Sequence, residues 1–267
     1  MSEIKESIEN VQVTRSIVPS LFTLMNLFMG FTAIVYISQN EIFKATIFIF
    51  FAAIFDMFDG VMARLIHSTS EFGAELDSLS DVVSFGAAPA YMLYKVHFYQ
   101  LGDTGVLIAA LPALAGAIRL ARFNIKLTTH KDKLYFTGLP IPSSALTIIS
   151  FVIFYYLPEN YSAHFKAIAS IVVVILTSLA MVSTIKFDNL PRPTIKSIKQ
   201  RPIVSAMFIV GLIACAVSKG KLVFPLMLFY IVASSVRHVF FWLKELKEPA
   251  DDIDESEAPE PELYDAE

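Results

Sequence analysis

Residues 55–81 read FDMFDGVMARLIHSTSEFGAELDSLSD and place four aspartates, Asp56, Asp59, Asp77 and Asp81, among segments apolar enough to lie in a membrane. On a helix, Asp56, Asp59, Gly60 and Ala63 are spaced i, i+3, i+4, i+7, one stripe carrying two carboxylates and two small residues. After the polar link, Gly73, Asp77 and Asp81 step by four and give the next helix a carboxylate stripe of its own. If the two helices pack as an antiparallel pair, the four acids converge. A rise of about 1.5 Å per residue then puts Asp56 and Asp81 roughly 10–15 Å from the link.

Outward from that stretch, apolar runs recur along a 267-residue chain that is 55% hydrophobic. Runs of about twenty such residues are the mark of a polytopic membrane protein. They leave almost nothing from which to build a separate soluble core, so the expected architecture is all-α, a single helical membrane bundle. Eight spans are predicted, at roughly 17–38, 42–66, 75–98, 105–125, 142–157, 165–185, 202–218 and 221–243. The breaks between them, among them "SQNE", "HSTSEFG" and "KLTTHKDKLYFTGLPIP", carry turn formers or charge. The first sixteen residues are polar, and the run after them lacks a small-residue cleavage pattern, so it reads as a retained helix.

The net charge of −4 is set largely by the final tail, EPADDIDESEAPEPELYDAE, which has no basic residue and is expected to be solvated and disordered. The single cysteine, Cys215, lies in an apolar run and excludes an intrachain disulfide. Lys and Arg concentrate in the loops holding Lys126, Lys131 and Lys133, and Lys186, Arg192, Lys196, Lys199 and Arg201. With an even number of spans those loops, both termini and the link at 67–74 share one side, which the positive-inside rule makes cytoplasmic. No glycine-rich nucleotide loop or nucleic-acid patch is present, and the five histidines show no metal-ligand spacing.

Four carboxylates converging in a low dielectric repel one another and protonate unless positive charge lies between them. Arg64 alone is insufficient. Hard divalent cations, Mg²⁺ or Mn²⁺, favour carboxylate oxygen and keep positions open for water and phosphate. A pair of such ions suits phosphoryl transfer. The competing reading gives each acid a water-filled vestibule or an Arg or Lys partner. Gly60, Ala63 and Gly73 allow close approach of a ligand or, equally, tight helix packing. Arg119 and Arg122 are three apart on one helical face, and Arg suits bidentate binding of a carboxylate or phosphate; Arg122 also suits a positive-inside anchor.

The stretch is similar to the signature of the CDP-alcohol phosphotransferase family, DxxDGxxAR, eight residues, then GxxxDxxxD, with Asp56, Asp59, Gly60, Ala63, Arg64, Gly73, Asp77 and Asp81 all in place. The segments DVVSFGAAPA (81–90), IRLARFN (118–124), FTGLPIPSSA (136–145) and VPSLFTLMNLFMGFTAI (18–34) resemble the integral-membrane, serine-using branch of that family. The resemblance covers about residues 17–185. It implies a six-helix core there, preceded by a cytoplasmic segment at 1–16. A basic loop with two additional transmembrane helices (186–245) and the acidic tail (246–267) would follow.

It also implies a pair of divalent metals held by Asp56, Asp59, Asp77 and Asp81, with Asp81 as the base that takes the acceptor's proton. Thr23, Asn26, Asp59, Gly60, Ala63, Arg64 and Gly73 would form the CDP pocket; for Thr23 and Asn26 ordinary interhelical hydrogen bonding is an equal reading. Expected partners are CDP-diacylglycerol, L-serine, membrane lipids and a second copy of the chain, without nucleic acid. Arg119 or Arg122 would hold serine's carboxylate or the lipid phosphate, and Tyr135, Thr137 and Pro140 to Pro142 would close the pocket. The alternatives are another acceptor such as glycerol phosphate or inositol, an archaeal lipid donor, or a cation transporter. A transporter calls for carboxylates spread across the bilayer or broken central helices.

Overall fold

The computed structural model describes residues 2–66, 71–127, 135–188, 210–211 and 213–245. Two long helices, α1 (Ser2–Ser38) and α2 (Ile42–Ile66), form an antiparallel hairpin. Its turn places Asn40 at φ 64, a left-handed conformation that Asn tolerates. Thr23, Asn26, Gly30, Ala33 and Ile37 form the buried stripe of α1, and Ile42, Ala45, Ile49, Ala52 and Asp59 that of α2. The small residues on both stripes let the backbones approach closely, which in a membrane substitutes for the missing hydrophobic drive. The outer faces present Leu21, Phe28, Phe31, Phe43 and Phe50, all exposed, as expected of a lipid-facing surface.

The third expected span, 75–98, is a composite: α3 (Glu71–Asp81), a π-helical segment (Val82–Ala87) and α4 (Ala88–Val96). Pro89 supplies the reason. It has no N–H for the Phe85 carbonyl and its ring presses on that carbonyl, so the helix widens upstream. The Ala88 N–H accordingly donates to Val83 O, five residues back. A short 3₁₀ turn (Phe98–Leu101) leads into α5 (Gly102–Leu127). A two-stranded antiparallel ribbon, β1 (Tyr135–Thr137) with β2 (Lys186–Asp188), pairs Phe136 with Phe187. Between the strands lie α6 (Ile141–Phe151), continued by a second π segment (Val152–Tyr156), and α7 (Ala163–Val182). The last described helix is α8 (Val223–Glu245).

Among the described residues, five segments are long and apolar enough to cross a membrane: Pro19–Ser38, Ile42–Leu65, Phe98–Ile125, Ala163–Val182 and Val223–Phe240, with Ile141–Tyr156 a shorter apolar helix. The chain is an integral membrane protein with an all-α bundle. α1 begins far ahead of its membrane-spanning part, so the polar first sixteen residues are helical from Ser2 on. Of the expected span 202–218, residues 210–211 and 213–217 are described and helical; the rest of it, most of the basic loop after Asp188 and the acidic tail lie outside the described residues. His67, His130 and Arg192 also lie outside them.

The end of α7 shows how the bundle satisfies its polar groups. Gly138, at φ 80, turns β1 toward α6, and its N–H donates to Ile185 O at 2.9 Å while Leu139 N–H donates to Ala180 O at 2.9 Å. Arg122 from α5 donates to Val182 O at 2.6 Å. Carbonyls left over at a helix C-terminus thus receive donors, one of them cationic and matched to the negative end of the dipole. At the opposite end, Tyr156 donates its hydroxyl to Val96 O at 2.7 Å, so His97 Nδ1, 3.2 Å from the Tyr156 hydroxyl oxygen, acts as donor to that hydroxyl. That histidine ties the end of α4 to the π segment that continues α6.

Candidate active site

Antiparallel packing of the α1–α2 hairpin beside α3 brings the carboxylates together. Asp56 and Asp59 on α2 and Asp77 on α3 each offer an oxygen within 4.8 Å of the others. Asp59 is buried and Asp56 and Asp77 half-buried. Thr23 donates to Asp59 Oδ2 at 3.0 Å, sharing its one proton with Pro19 O at 3.2 Å. The Asp59 and Asp77 carboxyls lie within hydrogen-bonding reach of each other.

Asp81 is not a member of this cluster. It lies one helical turn beyond Asp77, buried, its Oδ1 accepting from Asn26 Nδ2 at 3.2 Å. Asn26 is itself held, because Ser84 of the π segment donates to its backbone carbonyl at 3.0 Å. Gly30, one turn along α1, makes the approach possible: a Cβ there would land on the Ser84 side chain. The interhelical-hydrogen-bond reading of Thr23 and Asn26 is therefore observed, and both bonds end on the acids.

Arg119, 7% exposed, lies within electrostatic range of Asp81. Arg122 is exposed and holds the α7 terminus, so the two arginines of IRLARFN diverge in surroundings. Arg64 is exposed, its guanidinium lying over Gly60 at 3.6 Å from where a Cβ would be. Ala63 and Gly73 are half-buried at the link end of α2 and α3. Tyr135 and Thr137 belong to the ribbon, and Pro140 caps α6.

Sequence reasoning missed three contributors. Ser84 and Gly30 set the position of Asn26, and the Asn124 amide bridges α5 to α3, donating to Glu75 Oε1 at 3.3 Å and to Ser78 Oγ at 3.1 Å. All three fall within segments that carried the family resemblance; only their pairing is new.

The cluster suits a hard divalent ion. At an effective dielectric of 20, two unit charges at the outer limit of the cluster repel by about 3.5 kcal/mol. Three ionised carboxylates so placed require protons or a cation between them. One oxygen, Asp77 Oδ1, is buried and has no hydrogen-bond partner among the described residues, as a vacant ligand atom would be. All the donors are carboxylate oxygens, the chemistry that Mg²⁺-like ions prefer.

A family model for CDP-alcohol phosphatidyltransferases matches residues 16–185, which contain every one of these acids and arginines. The chain belongs to that family. It is 33% identical over 230 residues to a protein from Helicobacter pylori (strain J99) named CDP-diacylglycerol–serine O-phosphatidyltransferase, covering 85% of this chain and 92% of the relative. A Bacillus subtilis (strain 168) protein of the same name is 37% identical over 133 residues, 49% of this chain and 73% of the relative. An archaetidylserine synthase from Methanothermobacter thermautotrophicus is 36% identical over 178 residues, 64% of this chain and 69% of the relative. This family uses divalent metal, and Asp56, Asp59 and Asp77 can hold such an ion. α8 lies beyond the matched region.

Proposed function

We propose that the chain transfers the phosphatidyl group of CDP-diacylglycerol to the hydroxyl of L-serine, forming phosphatidylserine and CMP. The carrying observation is a three-carboxylate cluster and, one helical turn beyond it, the buried Asp81 with the buried Arg119 in electrostatic range. The first suits a diphosphate bridged by cations. The second offers a base for a hydroxyl and a cation for a carboxylate, the two groups serine presents together. The names of the relatives support serine as acceptor.

Two Mg²⁺ or Mn²⁺ ions held by Asp56, Asp59, Asp77 and Asp81 would neutralise the diphosphate and polarise its oxygens. Thr23, by fixing the Asp59 carboxylate, and Gly60, Ala63, Arg64 and Gly73, by their small size or charge, form the pocket for CDP. Asn26 holds Asp81 Oδ1 and leaves Oδ2 to receive the serine hydroxyl proton. The serine oxygen forms its bond to the phosphorus that carries the lipid, the bond from that phosphorus to CMP breaks, and CMP leaves with the electron pair. Arg119 receives the serine carboxylate; Arg122 maintains the α7 terminus.

The charge pattern of the loops supports termini and active site facing the cytoplasm. The domain reading is a catalytic core at 17–185, an extension at 186–245 and a solvated acidic tail at 246–267, with two copies of the chain forming the working unit. The archaetidylserine synthase relative supports an archaeal lipid donor as a second reading. The deciding experiment supplies purified protein with CDP-diacylglycerol and Mn²⁺ or Mg²⁺ and follows CMP. Release is expected with serine and far less with glycerol phosphate or inositol; equal release with inositol would overturn the assignment. An ether-lipid donor in parallel separates the second reading from the first.

A further inference from the structure

α3 carries the third carboxylate of the cluster on a lightly buried helix. Only Ser80 and Asp81, at its C-terminal end, are buried, while Phe72 and Leu79 are 71% and 64% exposed. Polar contacts with neighbouring helices therefore weigh heavily in placing Asp77. One is the bond from Asn26 of α1 to Asp81 Oδ1 at 3.2 Å. Another comes from the last turn of α5, where the half-buried Asn124 presents its amide to α3.

Asn124 Nδ2 donates one proton to Glu75 Oε1 at 3.3 Å and the other to Ser78 Oγ at 3.1 Å. Ser78 Oγ shares its own proton between Ala74 O at 3.0 Å and Asn124 Oδ1 at 3.3 Å. Both ends of the amide are thus engaged by residues that flank Asp77 in the chain. At about 100° per residue, the face that Glu75 and Ser78 turn to α5 lies roughly 110° around α3 from the face of Asp77 and Asp81. Holding the first face fixes the direction of the second. Side-chain ends stand about 5 Å from a helix axis, so a rotation of about 20° moves Asp77 about 2 Å sideways. Metal coordination tolerates only about 0.2 Å in ligand distance.

We propose that Asn124 is the positioning residue that fixes the rotation of α3 and so keeps Asp77 in register with Asp56 and Asp59 for a divalent cation. This rests on the reading of that cluster as a metal site.

The test measures Mn²⁺ binding to the full-length protein in detergent, without substrates, from the loss of the free-ion electron paramagnetic resonance signal. Asn124→Leu, which keeps the branched shape without its polar atoms, is expected to raise the Mn²⁺ Kd about tenfold, and Asn124→Gln to recover part of the loss. Ser78→Ala is expected to raise Kd several-fold alone and to add little in the Asn124→Leu background, where its partner is already gone. Arg122→Lys, on the same helix, lowers the melting temperature without moving Kd, which separates aiming from a general loosening of the bundle. An unaltered Kd in Asn124→Leu, an equal rise in Arg122→Lys, or additive effects in the double variant would each overturn the role of Asn124 while leaving the metal reading intact. Should Asn124→Leu not fold, Ser78→Ala decides by itself, an unaltered Kd overturning the proposal. A wild type that binds no Mn²⁺ would remove both.

Discussion

Asp77→Asn separates a metal site from a merely acidic one. Each pair in the Asp56, Asp59 and Asp77 cluster lies within 4.8 Å, and Asp77 takes part in two of the three pairs. With all three groups ionised, a neutral amide at that position relieves about 7 kcal/mol of repulsion at an effective dielectric of 20. Protonation of one carboxyl lowers that figure but not its sign. The amide also retains a donor for the neighbouring Asp59 carboxylate, which lies within hydrogen-bonding reach. Thermal unfolding of the detergent-solubilised protein is the assay, in chelator and in excess Mn²⁺. In chelator the variant is expected to melt above the wild type. With the ion at a hundred times its dissociation constant the wild type gains about 2.7 kcal/mol and the variant markedly less, so the difference narrows or reverses. CMP release is expected to fall at least about a hundredfold. A variant that melts below the wild type in chelator, gains as much from Mn²⁺ and still turns over would refute the reasoning.

Thr23→Val removes the donor to Asp59 Oδ2 at nearly constant volume; KM for CDP-diacylglycerol is expected to rise several-fold with KM for serine unchanged, as read from CMP release. Arg119→Lys and Arg122→Lys are expected to part company. The first raises serine KM about tenfold or more, and the second mainly lowers the melting temperature by weakening the bond to Val182 O, a loss of about 1–2 kcal/mol. Gly138→Ala is expected to destabilise by at least about 1–2 kcal/mol, because φ is 80 and the new Cβ would run into the Met181 carbonyl oxygen. Its signature is a lower melting temperature with unchanged KM values.

Helical geometry alone carries part of this site and misplaces the rest. A step of three residues turns a helix by about −60° from a full turn and a step of four by about +40°. Asp56 and Asp59 therefore splay one way on α2, and Asp77 and Asp81 the other way on α3. Two such stripes facing each other can converge fully at one level only. The structure meets at Asp56, Asp59 and Asp77 and leaves Asp81 a turn further on, in the company of Asn26 and Arg119. The step sizes were legible in the residues; which level would be chosen was not, because it depends on where α1 packs, and that is set by the contact of Gly30 with Ser84.

The π segment Val82–Ala87 adds a second source of misplacement. Each turn it contains takes in an extra residue, so a face projected by α-helical periodicity from Asp81 is wrong by about 100° once the chain reaches α4. Pro89 was the visible signal, yet proline predicts a disturbance without saying whether the helix will kink, break or widen. Widening keeps α3 and α4 nearly continuous, and Ser84 within the widened segment donates to the Asn26 carbonyl. The irregularity upstream of Pro89 thus lies where Ser84 holds the Asn26 carbonyl and the Asn26 amide holds Asp81.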